Sequence, residues 1–123
     1  IVRDPLTVGE DNSLTCVGEV PQGEHVDILN GDRPSLLRAA GLAREIADQR
    51  LRDAPHIRLY MDCISRVLFL DEAFEQEVLA VKHDDAPLLG ACTIGEIANH
   101  GGEFVEFYNK TAVVATLPAA ELA

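Results

Sequence analysis

The sequence lacks the short motifs by which many enzymes and metal proteins are recognised. It has no glycine-rich phosphate loop, no G-x-S-x-G nucleophile elbow and no recognisable pair of catalytic acids. It has no Cys-x-x-Cys pair, so a structural zinc site is not predicted. No nucleophile has a base at a familiar spacing. The sequence therefore predicts a protein that is not an enzyme, with no metal and no cofactor.

Basic residues and long apolar runs are also scarce. The 123 residues include 10 Lys and Arg against 21 Asp and Glu, a net charge of −11. Such a surface repels phosphate backbones and anionic lipids, so neither nucleic acid nor a membrane is expected as a partner. No apolar run approaches the ~20 residues that span a bilayer, and no signal peptide is visible.

The three cysteines, Cys16, Cys63 and Cys92, are far apart and lie in apolar, strand-like segments. This pattern is typical of buried free thiols in a reducing compartment, so we expect a cytoplasmic protein. Arg66 follows Cys63 closely, as in cysteine phosphatases. The two residues between them are too few to wrap around a phosphate, so we interpret Cys63 as a buried strand residue.

Hydrophobic periodicity predicts seven strands and two helices. The strands are expected at residues 1–8, 13–20, 25–30, 56–64, 88–97, 104–108 and 111–117. The 13–20 and 25–30 strands are expected to form a hairpin, and so are the last two, about Asn109-Lys110. The helices are expected to begin after Asp32 and Asp71, which can cap their first turns, and to end near Arg52 and His83.

The order β-β-β-α-β-α-β-β-β predicts an α+β fold with a mixed, largely antiparallel sheet and two helices packed on one face. Residues 1–123 are expected to form a single domain. Because the chain begins at Ile1 without a methionine, we expect it to be part of a longer protein.

Two of the predicted strands end in a charged residue. Around Glu96, in the Leu89 to Ile97 segment, nearly every residue is small or apolar, and a carboxylate in such a place needs a partner. The 56–64 segment leads into Arg66. We expect the two strand ends to share a site.

Both charged residues have two interpretations. Arg66 could form a structural ion pair with Glu96, Asp62 or Asp71, or its planar guanidinium could bind a ligand's carboxylate. Glu96 could pair with Arg66 or with backbone N–H groups, or it could accept a ligand's ammonium group. A site that offers both would match a zwitterionic amino acid. Asn109 could satisfy its own turn or add hydrogen bonds to that ligand.

Five motifs occur in a fixed order. They are Arg3-Asp4-Pro5-Leu6, Val20-Pro21-Gln22-Gly23, Cys63-Ile64-Ser65-Arg66, Gly90 to Ile97, and Asn109-Lys110-Thr111. In this order the chain resembles the C-terminal half of the FIST domain, a sensory domain of intracellular signal-transduction proteins. The resemblance implies a cytoplasmic module that binds small molecules such as amino acids. It also implies an N-terminal FIST half-domain and a downstream signalling domain or protein as partners.

The resemblance also implies which residues bind the ligand. The motif positions are Cys63, Arg66, Gly95, Glu96, Asn109 and Thr111, and Tyr108 lines the same region where the family pattern suggests histidine. We expect ligand binding to shift the population of two arrangements of the half-domains. Two other functions stay open: a structural interaction module that pairs with the N-terminal half, and a haem- or redox-responsive sensor that uses a cysteine or a histidine such as His56 or His100.

Overall fold

The structure is a computed structural model that describes residues 1–49, 51, 54–99 and 104–121. Its strands are β1 (Pro5–Val8), β2 (Leu14–Cys16), β3 (His56–Cys63), β4 (Leu88–Thr93), β5 (Glu96–Ala98), β6 (Glu106–Tyr108) and β7 (Ala112–Pro118). Its α-helices are α1 (Arg33–Asp48), α2 (Ile64–Leu70) and α3 (Phe74–Lys82), and single 3-10 turns lie at Asp71–Ala73 and Ala119–Glu121.

The central sheet has the strand order β4-β3-β7. β3 is parallel to β4 and antiparallel to β7, and the crossover that parallel pairing requires is made by α2 and α3. Two antiparallel ribbons, β1-β2 and β5-β6, complete the strands that the described residues form. Helix α1 packs against α3 and β7. The predicted α+β fold with a mixed, mostly antiparallel arrangement is confirmed.

Helix α1 begins where the sequence predicts. The Asp32 carboxylate accepts the Ser35 backbone N–H at 2.8 Å, and the Ser35 hydroxyl receives the Asp32 N–H at 3.1 Å. This reciprocal cap satisfies two donors that the first helical turn leaves free, and Pro34 needs no such partner. The helix ends at Asp48, whereas the predicted end, Arg52, lies outside the described residues.

The second predicted helix is divided in two, and the prediction that Asp71 caps its start is wrong. Helix α2 begins directly after β3, and Asp71, with a φ of 53°, ends it instead. Helix α3 then starts at Phe74 after one 3-10 turn. An immediate helical turn places Arg66 one turn beyond Asp62, with its Nε 3.1 Å from the Asp62 Oδ1.

Two predicted strand pairings are wrong. Residues 25–30 form no strand, and Ile28 is 99% exposed, because no described strand lies beside this segment after the turn at Gly23. The predicted 88–97 strand breaks at Gly95, whose φ is 90°. β5 therefore leaves the central sheet and pairs with β6, so β6 and β7 form no hairpin.

The helices cover the face of β3 that carries its charged residues. Arg58 and Asp62 are each 1% exposed and Tyr60 is 5% exposed, whereas Leu59 and Met61, on the apolar face, are only half-buried. The core on the helix side consists of Ala40, Tyr60 and Val81, with Val78, Leu88, Ala112 and Val114 packed around them. Burying charge on this face requires partners for each charged group.

Arg58 finds its partners at the ends of both long helices. Its Nε and Nη2 donate to the two oxygens of Asp48 at 3.0 and 2.8 Å, and its Nη1 and Nη2 donate to Asp84 at 2.7 and 2.9 Å. Nη1 also donates to the Lys82 carbonyl at 2.8 Å. The carboxylates of Asp84 and Asp48 raise the pKa of Arg58, and its hydrogen bonds hold the pKa of Asp84 low. Arg58 therefore ties α1 and α3 to β3.

We expect Arg58→Lys to lower the free energy of unfolding by about 2 to 4 kcal/mol. Lysine keeps the charge but cannot bind two carboxylates in the planar, forked geometry of a guanidinium. Urea denaturation at pH 7 measures the change. Arg38→Lys on the exposed side of α1 is the matched control, with an expected change within about 0.5 kcal/mol. Equal effects of the two substitutions would show that the forked contacts of Arg58 do not stabilise the packing of α1 and α3 on β3.

Candidate functional site

The C-terminal ends of β3 and β4 meet, as a shared site requires. The two strands are parallel, and their last residues, Cys63 and Thr93, are register partners. Arg66 and Glu96 each follow three residues later, so both leave the sheet at the same edge. Carboxyl ends of adjacent parallel strands are where open α/β sheets commonly bind ligands.

Arg66 is buried in this edge and is 3% exposed. Its partners are the carboxylates of Asp62 and Glu77, the Leu36 carbonyl at 3.2 Å and the Lys110 carbonyl at 3.4 Å. Asp62 is one of the three ion-pair partners that the sequence offers. Arg66 is thus engaged by the protein, and its proposed contact with a ligand stays a prediction.

Glu77 was not predicted as a partner of Arg66. It lies in the stretch Glu75-Gln76-Glu77, which looks solvent-exposed, yet it is 0% exposed. The signal was its helical spacing, because residues 74, 77 and 81 lie on one face of α3, and Val81 on that face belongs to the core. A carboxylate on the apolar side of an amphipathic helix indicates a buried partner of opposite charge.

This cluster, Asp62-Arg66-Glu77, contains two carboxylates and one guanidinium. Burial raises the pKa of both Asp62 and Glu77, against the opposing effect of Arg66. Burial, and then the charge of Asp62, raises the pKa of Tyr60, whose hydroxyl lies beside Asp62 without meeting hydrogen-bond geometry. The cluster therefore carries one unbalanced negative charge when both acids are ionised.

Glu96 is surrounded by polar groups but by no cation among its contacts in the described part of the chain. It is 3% exposed, and its Oε1 accepts the Thr93 hydroxyl at 2.8 Å. Burial raises the pKa of Glu96, although the Thr93 hydroxyl, the Thr111 N–H and the Cys63 thiol act in the opposite direction. Oε2 meets no donor in hydrogen-bond geometry within the described residues. Among the described residues, the Thr93 hydroxyl is therefore the hydrogen-bond donor to Glu96, and Arg66 pairs with Asp62 and Glu77 instead.

The remaining motif residues gather around Glu96. Asn109 is 1% exposed, and its Nδ2 lies 3.2 Å from where a Cβ on Gly95 would stand. The Thr111 hydroxyl donates to the Asn109 carbonyl at 2.9 Å. Tyr108 is half-buried and donates to Glu106 at 2.7 Å, which raises the pKa of Tyr108. The motif thus forms a compact polar cluster at the strand ends.

The N-terminal motif secures this cluster from outside. Arg3 donates to the Phe107 carbonyl at 2.8 Å and to the Glu19 carbonyl at 3.0 Å, and its guanidinium lies 5.8 Å from the centre of the Phe107 ring. Asp4 is 3.1 Å from the Lys110 ammonium. Both residues therefore hold β6 and the turn that precedes β7, which carries Asn109.

A cavity of about 270 Å³ adjoins the Asp62-Arg66-Glu77 cluster on the helix side of the sheet. Its walls come from β3, β4 and α3. They are formed by Tyr60, Asp62, Phe74, Val78, Leu88, Gly90, Ala91 and Cys92. The last three are exposed, so the cavity opens to solvent along β4. Its volume is just below the ~300–1,000 Å³ of typical ligand pockets.

The FIST C domain family model matches residues 1–99 of the chain. The chain belongs to the FIST C domain family. No curated protein and no solved structure matches this FIST C domain. The described helices of the domain include none long and apolar enough to cross a membrane.

The FIST C domain brings Cys63, Gly95, Glu96, Asn109 and Thr111 together in one cluster. Arg66 belongs instead to the neighbouring cluster with Asp62 and Glu77. His100 lies outside the described residues. In the ranges that the structure covers, no three His, Cys, Asp or Glu side chains are grouped as metal ligands. The ligand-binding roles of the motif residues stay predictions.

We expect Glu96→Gln to flatten the dependence of stability on pH. The folded pKa of Glu96 lies above its ordinary value of 4.5, so the folded state holds the proton more tightly than the unfolded state. Stability therefore falls as pH rises from about 4.5 through the folded pKa, at up to about 1.4 kcal/mol per pH unit. Urea denaturation at pH 5, 6 and 7 measures the slope. Exposed Glu24→Gln is the control, and equal slopes in both variants would contradict the expectation.

We expect Arg66→Met to lower the free energy of unfolding at pH 7 by about 3 to 5 kcal/mol, because two buried carboxylates lose their cation. Part of this loss should return at pH 5, where both acids take up protons more readily. The measurement is urea denaturation at the two pH values, with Arg38→Met as control. A variant as stable as the wild type at pH 7 would show that Arg66 is not structural.

Proposed function

We propose that this FIST C domain senses a small molecule, and that an amino acid or related amine is bound at the C-terminal ends of β3 and β4. The observation that carries the proposal is the cavity beside the buried Asp62-Arg66-Glu77 cluster. A folded domain keeps buried charges in such a place at a cost in stability, and functional sites are where such costs are commonly found.

The strand-end cluster near Asp62 offers further ligand contacts, although Glu96 and Asn109 are not among the residues that line the cavity. Glu96 and Asn109 each have a buried oxygen, Oε2 and Oδ1, that accepts no hydrogen bond from the described residues. A buried acceptor without a donor costs about 1–3 kcal/mol, and a ligand ammonium or amide would remove that cost. In this proposal Arg66 is the group that a ligand carboxylate would approach, in competition with Asp62 and Glu77.

Binding would be transmitted by a population shift. The family is one of sensory signal-transduction domains, and this chain is proposed to work in the cytoplasm beside an N-terminal FIST half-domain and a downstream signalling partner. Arg3 and Asp4 link the strand-end cluster to the first residues of the chain. A change around Asn109 would therefore reach the N-terminal segment directly. No catalytic step is proposed.

The test is thermal unfolding of the domain against the standard amino acids and their amides. A ligand at ~100 times its dissociation constant adds about 2.7 kcal/mol, which raises the midpoint by several degrees in a domain of this size. We expect at least one compound to do so. Glu96→Gln and Asn109→Ala should each reduce the shift, whereas exposed Glu24→Gln should not.

The absence of a shift with every compound would contradict small-molecule sensing by this domain. If the midpoint still shifts in both Glu96→Gln and Asn109→Ala, the domain senses a small molecule but does not bind it through the strand-end cluster.

An interaction module that pairs with an N-terminal half-domain is the second candidate. It is favoured by the sheet face opposite the helices, where Leu89 is 68% exposed and Leu59, Met61 and Val113 are only half-buried. Pairing would be detected as a stable complex with the half-domain in sedimentation analysis. Leu89→Lys should weaken such a complex, whereas Leu79→Lys on the exposed side of α3 should not.

A further inference from the structure

The chain contains two clusters in which one arginine pairs with two carboxylates, in opposite surroundings. Arg58 pairs with Asp48 and Asp84, and Arg66 pairs with Asp62 and Glu77. Asp48 also lies 4.0 Å from Arg44 Nη1 and 3.9 Å from His56 Nε2, so the first cluster has further basic groups. The Asp84 side chain is 47% exposed, so water shares in solvating the first cluster. The Asp62 and Glu77 side chains are 1% and 0% exposed, so the surplus charge of the second cluster has no such solvent.

The pKa values of the carboxyl groups differ between the two clusters in the same sense as their exposure to solvent. In the Arg58 cluster the pKa of both carboxyl groups is low. For Asp48, burial is the largest effect, but the hydrogen bonds from Arg58 and Thr116 and the charges of Arg58 and His56 together outweigh it. For Asp84, the hydrogen bonds from Arg58 are the main cause of the low pKa. In the Arg66 cluster burial outweighs the single guanidinium, and the pKa of both Asp62 and Glu77 is raised. Arg44 and solvent help to balance the first cluster, whereas among the described residues the second cluster has Arg66 as its one ion-paired cation and no solvent.

Asp62 is the member of this cluster that reaches the cavity. It lines the wall together with Tyr60, and neither of its carboxylate oxygens accepts a hydrogen bond within the residues described, although Oδ1 is 3.1 Å from the Arg66 Nε. Cys92, the register partner of Asp62 in β4, also lines the cavity, and burial and the charge of Asp62 raise the pKa of its thiol. Phe74, Val78 and Leu88 supply an apolar wall.

We infer that this cavity binds a small primary amine with a short apolar chain, whose ammonium group donates to Asp62, and that the ligand carries no carboxylate. The inference rests on the proposed function and narrows its ligand class. A carboxylate on the ligand would meet the unbalanced negative charge of Asp62 and Glu77, because Arg66 already forms ion pairs with both. The ammonium group instead supplies the missing positive charge.

The remaining groups fit each part of such a ligand. An ammonium has three donors, which the Asp62 carboxylate, the Tyr60 hydroxyl and solvent at the β4 opening can accept. A short alkyl chain would remove apolar surface of Phe74, Val78 and Leu88 from water. The volume of about 270 Å³ limits the chain to a few carbons.

The experiment compares n-butylammonium, 1-butanol and leucine as ligands of the whole 123-residue domain, by calorimetric titration and thermal unfolding at pH 7. We expect n-butylammonium to bind more tightly than leucine, and 1-butanol to bind at least tenfold more weakly. Asp62→Asn should weaken n-butylammonium binding by about tenfold or more, the usual range for a hydrogen bond to a charged group. Asp85→Asn, which removes the same charge from an exposed loop, should leave binding unchanged.

Cys92→Phe is the second variant, in case Asp62→Asn does not fold. Cys92 is exposed and lines the opening, so a larger side chain there fills the cavity without entering the core, and it should abolish binding of n-butylammonium. Tighter binding of leucine than of n-butylammonium would overturn the inference and leave the proposed function intact. Unchanged binding of n-butylammonium to Cys92→Phe would also overturn it. Binding of none of these compounds, nor of any amino acid, would overturn both.

Discussion

Two buried arginines hold the helices of this domain to its sheet. Arg58, near the start of β3, binds Asp48 at the end of α1 and the chain that follows α3. Arg66, just beyond the other end of β3, binds Glu77 in α3 and the Leu36 carbonyl in α1. The apolar core between them is small, with Ala40, Tyr60 and Val81 as its centre. The charged contacts at both ends therefore fix how α1 and α3 lie on the sheet.

This arrangement links stability to the candidate site. The Asp62-Arg66-Glu77 cluster is at once an anchor for α3 and a wall of the cavity. A change in its charge, by a proton or by a cation, would therefore alter a contact that anchors α3 as well as the wall of the cavity. In the proposed function such a shared element would give ligand binding a route to the rest of the domain, because one set of contacts would have different strengths in the two charge states.

The sequence predicts which segments form helices and strands better than it predicts which strands pair. The cap at Asp32, the strand before Cys63 and the α+β class follow from local patterns, and these are present in the structure. The pairing of β5 with β6 depends on the positive φ of Gly95, where the chain changes direction. Hydrophobic periodicity does not report such a turn, so one long strand and a final hairpin were expected instead.

The candidate site, like the strand pairing, was predicted only where the residues concerned lie next to predicted strand ends. Glu96, Asn109 and Thr111 share a cluster because their motifs flank strands that meet, and spacing along the chain could indicate that. The partner of Arg66 could not be read in this way, since Glu77 lies eleven residues away in a helix whose charged residues mostly face water. The sequence also did not show that the charged face of β3 packs against the helices. Arg58 and Asp62 are buried there because they pair with residues outside the strand.

Gly90 decides how β4 can lie beside β3. A Cβ at this position would collide with the Tyr60 carbonyl oxygen, so the two backbones approach each other at the one residue without a side chain. Sliding β4 by one or two residues would bring Leu88, Leu89, Ala91 or Cys92 to that point, each with a Cβ that does not fit. The outer wall of the cavity, which β4 forms, is therefore held in a single register beside β3.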